Sequence, residues 1–322
     1  HILCEKPAAL NYPTAMAMIE AARRHDVFFM EAYMYRCAPQ TARLIELVGE
    51  GAIGEVRVIR ATFSFHAGFK PDGRLFNNAL GGGGILDVGG YTTSLARLVA
   101  GAAMGEPFAE PAALSGCGKL AETGVDQWAI ASARFPGDIV AQLSCGVSVA
   151  QDNAVDIFGS EGRISVPWPW IPAREGGETT LVLHRKGGEP ETINVPQKEY
   201  LYALEADTVA DHLEARQAPA MSWEDTLGNM RMLDAWRQAV GVEYELEKPG
   251  AVPTVHGRPL KARDGAKMAY GRIDGVDKDI ARLVMGCDNQ KTMPQAAMLW
   301  DDYFESRSEE RRVGKECVSE CR

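Results

Sequence analysis

The feature that most limits what this chain can fold into is a pattern of alternation between residues 127 and 195. In Ile139-Val140-Ala141-Gln142-Leu143-Ser144-Cys145-Gly146-Val147-Ser148-Val149 the odd positions are apolar and most even ones are small or polar. Such a segment is a strand with one packed and one open face. Residues 127–135 pair with it through the short turn Pro136-Gly137-Asp138. Segments 154–159, 162–166, 179–185 and 191–195 continue the pattern, with Gly187-Gly188 as a further turn. With residues 55–65 they predict a large, mostly antiparallel sheet. Helices must cover one face. They are supplied by residues 199–216 (Leu201, Leu204, Val209, Leu213) and 223–241 (Leu227, Met230, Leu233, Trp236, Val240), the second opened by the capping pair Ser222 and Asp225. The other face, patterned with Ser and Gln, meets water or a second copy of the chain. Trp168-Pro169-Trp170, in a loop between strands, reads as a packing anchor in preference to a sugar-stacking platform.

The amino-terminal part has another rhythm. His1 to Cys4 is a short apolar strand stopped by Pro7, which leaves Glu5 and Lys6 at its carboxyl end, where open α/β sheets hold ligands. A helix over 13–25 follows, with Pro13 in its first turn and Arg23, Arg24 and His25 in its last. Val27 to Met30 forms a second buried strand ending at Glu31, with Tyr35 and Arg36 just beyond. Strand, helix, strand makes a βαβ unit. Further on, Gly81-Gly82-Gly83-Gly84 feeds an apolar helix (Ile85, Leu86, Val88, Leu95, Leu98, Val99) that places Asp87 and Tyr91 one turn apart on one face. An Asp in an apolar helix needs a partner. The plain alternative is a capped helix with Asp87 bonded to backbone and Tyr91 in the core, and a Lys6 solvated beside Glu5.

Gly49-Glu50-Gly51-Ala52-Ile53-Gly54 matches the dinucleotide pattern GxGxxG, but a helix (41–48) precedes it and a strand follows. A pyrophosphate loop needs the reverse order, so these glycines are a helix end and a turn. Gly116-Cys117-Gly118 fails in the same way.

A net charge of -10, with Lys and Arg scattered, gives no footprint for nucleic acid. No apolar run approaches a membrane span, so no membrane partner is expected. The cysteines at 4, 37, 117, 145, 287, 317 and 321 form no CxxC pair and read as reduced, mostly buried thiols of a cytoplasmic protein. The histidines show no ligand spacing, and no metal site is expected.

Glu5-Lys6-Pro7, then Glu31-Ala32-Tyr33-Met34-Tyr35-Arg36 with Pro39-Gln40, then the glycine run with Asp87 and Tyr91 resemble, in order and interval, the glucose–fructose oxidoreductase / inositol dehydrogenase (Gfo/Idh/MocA) family. The likeness runs from residue 1 to about 247. Tyr91 stands where inositol-dehydrogenase-like members carry His, which resembles the Tyr-type branch; Cys37 and Ala38 replace the aromatic and His of many members. The resemblance implies an α/β chain: residues 1–35 as the remnant of a dinucleotide-binding (Rossmann) domain whose glycine loop lies upstream of His1, and 36–247 as an α+β substrate and dimerisation domain. It further implies NAD or NADP as cofactor, a sugar, cyclic polyol or diol as substrate, and a homodimer formed through the sheet. In functional terms Lys6, Asp87 and Tyr91 are the implied acid–base groups, with Glu5, Lys6 and Arg36 at the cofactor and Lys6–Pro7 as a cis peptide. The remnant by itself is expected neither to bind NAD(P) tightly nor to turn over. A non-catalytic, ligand-sensing regulator of the same fold is the rival reading. Residues 248–272, rich in Pro, Gly and charge, read as a linker. Residues 273–305 resemble the first strand and helix of an aldo-keto reductase, which would make the natural protein a bifunctional fusion, and 306–322 read as an unrelated tail, a cloning scar.

Overall fold

The computed structural model describes residues 1–248, together with the backbone of a two-residue pairing, Thr254–Val255 against Arg258–Pro259. The expected aldo-keto-reductase-like piece at 273–305 and the tail at 306–322 lie outside the described residues, as does most of the expected linker at 248–272.

Strands β1 (Ile2–Glu5) and β2 (Phe29–Ala32) pair in parallel, with Cys4 opposite Glu31 and Glu5 opposite Ala32. Helix α1 (Tyr12–Arg24) connects them; the Asn11 side chain caps it by accepting from the Thr14 amide at 3.1 Å, and Pro13 sits in its first turn. Strand β2 begins two residues later than its apolar run suggests, because Asp26, at φ 48°, turns the chain and Val27 is still closing the helix end onto Ala22. Glu31 is therefore inside the strand and fully buried.

A 3-10 turn (Met34–Cys37) leads into α2 (Pro39–Gly49) and then into the main sheet. Its strands are β3 (Val56–Ser64), β4 (Ala113–Leu120), β5 (Asp126–Arg134), β6 (Val140–Gly146), β7 (Val155–Gly159), β8 (Gly162–Val166), β9 (Gly177–Arg185) and β10 (Glu191–Gln197). They lie in the order β10-β9-β8-β7-β3-β6-β5-β4, antiparallel throughout except for the central pair β3–β6. Helices α2, α3 (Gly90–Met104) and α5 (Trp223–Val240) cover one face, and α4 (Leu201–His212) packs on the 3-10 turn after β2. On β5 the covered side carries Ala129, Ala131 and Ala133, while Trp128 and Ile130 point outward at 40% and 53% exposure. Small residues inward let a helix lie close; the large outward ones leave an apolar patch.

Strand β4 carries no alternation and was not predicted. Gly116, Gly118 and Lys119 have low strand propensity, and pairing with β5 at the sheet edge supplies the order their side chains do not. A Cβ on Gly116 would lie 2.7 Å from the Ile130 carbonyl and 3.1 Å from the Trp236 ring, so the glycine serves the approach of α5. Trp236 donates its indole N–H to the Ile130 carbonyl at 3.2 Å; near the other end of α5, Trp223 donates to the Phe29 carbonyl at 3.1 Å. The same helix is thus tied to the main sheet and to the small parallel pair. Trp170 is buried, stacks on Phe63 at 5.5 Å and donates to the Thr62 carbonyl, whereas Trp168 is 73% exposed. Gly49, Gly51 and Gly54 form the end of α2 and the turn into β3. Of the described cysteines, Cys145 is buried, Cys4 and Cys37 are half-buried and Cys117 is exposed, against the expectation of mostly buried thiols. No helix of the described residues is long and apolar enough to cross a membrane.

The C-terminal half of α3 is pinned where Gly101 meets the following segment: a Cβ there would sit 2.3 Å from Phe108 Cα. Backbone cannot yield as a side-chain end does, so Gly101→Ala is expected to lower unfolding free energy by about 1–3 kcal/mol, read by urea denaturation.

Candidate active site

Lys6 leaves the carboxyl end of β1, followed by a cis Lys6–Pro7 bond. Its ammonium donates to the main-chain carbonyl of Asp87 at 2.6 Å and lies 3.7 Å from Asp87 Oδ1. It also sits 5.1 Å above the centre of the Tyr91 ring, a cation–π contact. Burial drives the Lys6 pKa below the ordinary lysine value; the Asp87 carboxylate opposes that shift, and the Arg74 guanidinium reinforces it.

The segment around Asp87 is not the expected regular helix. Ile85–Gly89 is a π-helical turn that runs into α3. Such turns widen the helix locally and are frequent at functional sites. Asp87 Oδ1 accepts from Arg74 Nη1 at 2.6 Å, so the carboxylate stands between a half-buried amine and an exposed guanidinium. Arg74 was missed from sequence, since it lies in a loop without periodicity. Lys6, Arg74 and Asp87 line a cleft of about 430 Å³ with Leu10, Gly82 and Leu246.

Tyr91 is brought to Lys6 by its ring and not by its oxygen. It is 4% exposed, and its hydroxyl donates to Met34 Sδ at 3.4 Å. Tyr33 and Phe63 contact it edge-on at 5.0 Å, with Trp170 at 5.9 Å. Burial, first, and then neighbouring Tyr202 push its pKa well above that of a free phenol. Glu5 is exposed at the cleft edge, where its charge works to keep Lys6 protonated.

Arg36 is not at the site, contrary to expectation. It is buried, pairing with Asp225 Oδ2 at 2.6 Å and donating to Ser94 Oγ at 2.8 Å. Asp225 also takes the fully buried Arg97, which reaches Glu110 at 2.8 Å. Both charges of Arg36 and Asp225 are thereby satisfied inside the protein, which leaves Arg36 nothing to offer a cofactor. The expected capping pair is also half right: Ser222 Oγ accepts from the Asp225 amide at 3.2 Å, but the Asp225 carboxylate turns inward to the arginines.

Glu31 has a different task from a strand-end ligand. Its Oε1 accepts from the Ala8 amide at 2.8 Å, fixing the chain two residues after Lys6. Burial raises its carboxyl to about 7.

Residues 41–165 match the model of the GFO/IDH/MocA C-terminal domain. Trans-1,2-dihydrobenzene-1,2-diol dehydrogenase of Danio rerio is 32% identical over 250 residues, covering 76% of this chain and 71% of its own. The human protein of that name is 30% identical over 256 residues, covering 77% and 72%. Among solved structures, a 3-ketoreductase from Actinomadura kijaniata in complex with NADP and TDP-benzene is 26% identical, with TM-score 0.64, over 74% of this chain and 71% of that one. An aldose–aldose oxidoreductase from Caulobacter crescentus, complexed with glycerol, shares the fold at TM-score 0.65 and 24% identity, over 75% of this chain and 70% of its own. The chain belongs to the Gfo/Idh/MocA family, whose cofactor is NAD or NADP. The cleft is lined by apolar Leu10, Leu86 and Leu246, by Gly82 and Gly83, and by the Lys6 amine.

A carboxyl whose folded pKa is raised binds a proton that the unfolded chain has already released. Its stabilising contribution is therefore present below about pH 4.5 and is lost as pH rises towards about 7. Glu31→Gln should remove this loss, so its Tm relative to the unsubstituted protein climbs by a few degrees between those pH values in a calorimetric scan.

Proposed function

We propose that the protein transfers a hydride between NAD(P) and a secondary alcohol or carbonyl of a sugar, cyclic polyol or diol, with Lys6 as proton acceptor and donor. The observation that carries this reading is the desolvated Lys6 ammonium held 2.6 Å from the Asp87 carbonyl beside a cleft. When bound, the nicotinamide supplies the two-electron hydride acceptor. Lys6, its pKa lowered by burial and by Arg74, takes the hydroxyl proton as the carbinol C–H bond breaks and the C=O bond forms. In the reductive direction the same amine returns the proton to the carbonyl oxygen.

Asp87 orients the amine through its main-chain carbonyl and, through its carboxylate, is the group for a second substrate hydroxyl. Tyr91 packs its ring under Lys6, and its hydroxyl rests on a thioether sulfur, a weak acceptor that a substrate oxygen can replace. Glu5 borders the cofactor side of the cleft. Residues 1–35 act as part of the nucleotide domain and 36–247 as the substrate domain. The names of the relatives, a 1,2-diol dehydrogenase and a 3-ketoreductase, support a vicinal diol or its ketone as substrate. The exposed Trp128 and Ile130 support a homodimer joined through the open sheet face; sedimentation velocity of Ile130→Asp against the parent reads that state.

Turnover of a panel of sugars, polyols and diols by the full-length gene product, with NAD and with NADP, tests the reading; absence of any turnover overturns it. Lys6→Met is expected to lower kcat by about 10²- to 10⁴-fold. Arg74→Met removes a positive neighbour, so the Lys6 pKa rises and the pH–rate profile for oxidation moves to higher pH.

A further inference from the structure

The glycine run has a job that the site chemistry does not explain. Ile85 opens the π-helical turn, and no side chain of its own segment caps it. Its amide instead donates to Oδ2 of Asp126 at 2.8 Å, from strand β5. Asp126 is fully buried, and its other oxygen has no hydrogen-bond partner. The glycines are what let it in. A Cβ on Gly83, at φ 113°, would lie 2.4 Å from Asp126 Oδ1, and one on Gly84 would lie 3.1 Å from Oδ2 and 3.0 Å from the Gly146 backbone. The same loop is closed from the other side by Tyr244, whose hydroxyl donates to the Gly82 carbonyl at 2.7 Å.

We infer that Asp126 is a positioning residue for Lys6: from β5 it fixes the turn whose Asp87 carbonyl holds the ammonium. The links are continuous. Asp126 takes the Ile85 amide, the Asp87 amide donates to the Gly83 carbonyl at 3.1 Å, and the Asp87 carbonyl takes Lys6 Nζ at 2.6 Å. Loss of the carboxylate leaves the Ile85 amide buried without an acceptor, and a glycine-rich loop relieves that by opening to water. An opened loop hydrates Lys6. The charged groups facing Lys6 are Asp87, Arg74 and Glu5, and Arg237 is the cation that acts on Asp126; none of them is removed by substituting Asp126.

This inference rests on the reading of Lys6 as the proton acceptor, and its test therefore reads the amine and not turnover. Competitive acetylation of the chain across pH, with peptide mass spectrometry, follows the titration of Lys6 against that of exposed Lys70, Lys119 and Lys186. In the parent, Lys6 titrates below those three. In Asp126→Ala that keeps the parent circular dichroism, its titration moves up to coincide with theirs, whereas Asp126→Asn, which retains an acceptor for Ile85, stays near the parent. An unchanged Lys6 in folded Asp126→Ala overturns the role of Asp126 and leaves that of Lys6 intact. A Lys6 that titrates with the exposed lysines in the parent removes the reading of Lys6 itself. Should Asp126→Ala not fold, Asp126→Ser is judged on the same titration, and loss of the fold in both assigns Asp126 to stability alone and overturns the inference.

Discussion

A half-buried amine bonded to a peptide carbonyl is the interaction on which the rest of this structure depends. Carbonyls accept without carrying net charge, so Lys6 is held in place while its protonated form gains less than a carboxylate at the same distance would give. The Asp87 carboxylate stands farther off and is itself engaged by Arg74. Position and acidity are thereby set by different groups. An amine kept this way can change protonation state without losing its place, which is what a group that takes and returns a proton needs.

Three parts of the chain meet to make that arrangement, and each is fixed by contacts outside the site. Strand β1 is placed by its parallel partner β2, whose Glu31 also fixes the backbone after Lys6. The Asp87 turn is placed by α3 and by β5. Tyr91 is placed by a ring of aromatic side chains from Tyr33 before the 3-10 turn, β3 and the loop after β8. A ligand sensor would need the cleft; it would have no use for a partly desolvated lysine with a lowered pKa, and this favours chemistry over sensing.

The sheet was legible in sequence wherever side chains alternated, and β4 was not, because its order comes from its neighbour. Lys6 and Asp87 were legible because a proline and a glycine run mark the ends of their elements. Arg36 misled: an arginine beyond a strand end looks like a ligand group, and its partner Asp225 lies far along the chain. Local pattern carries no trace of such a pairing. Glu31 was visible as a polar residue near a strand end, but its amide partner was not. Arg74 gave no signal at all, since loops have no period to violate. The thioether partner of the Tyr91 hydroxyl was not legible for a similar reason: helical spacing fixes which face a residue occupies, not which atom its tip touches.

Helix α5 carries two indoles that reach different sheets, Trp223 to Phe29 and Trp236 to Ile130. They lie roughly three and a half turns apart and leave the helix in directions about 140° from one another. The helix therefore acts as a spacer of fixed length and fixed twist. Adding or deleting a single residue between the two tryptophans would rotate one of them by about 100° and slide it by about 1.5 Å, detaching it from its carbonyl. This span must keep its residue count for the two sheets to stay in register.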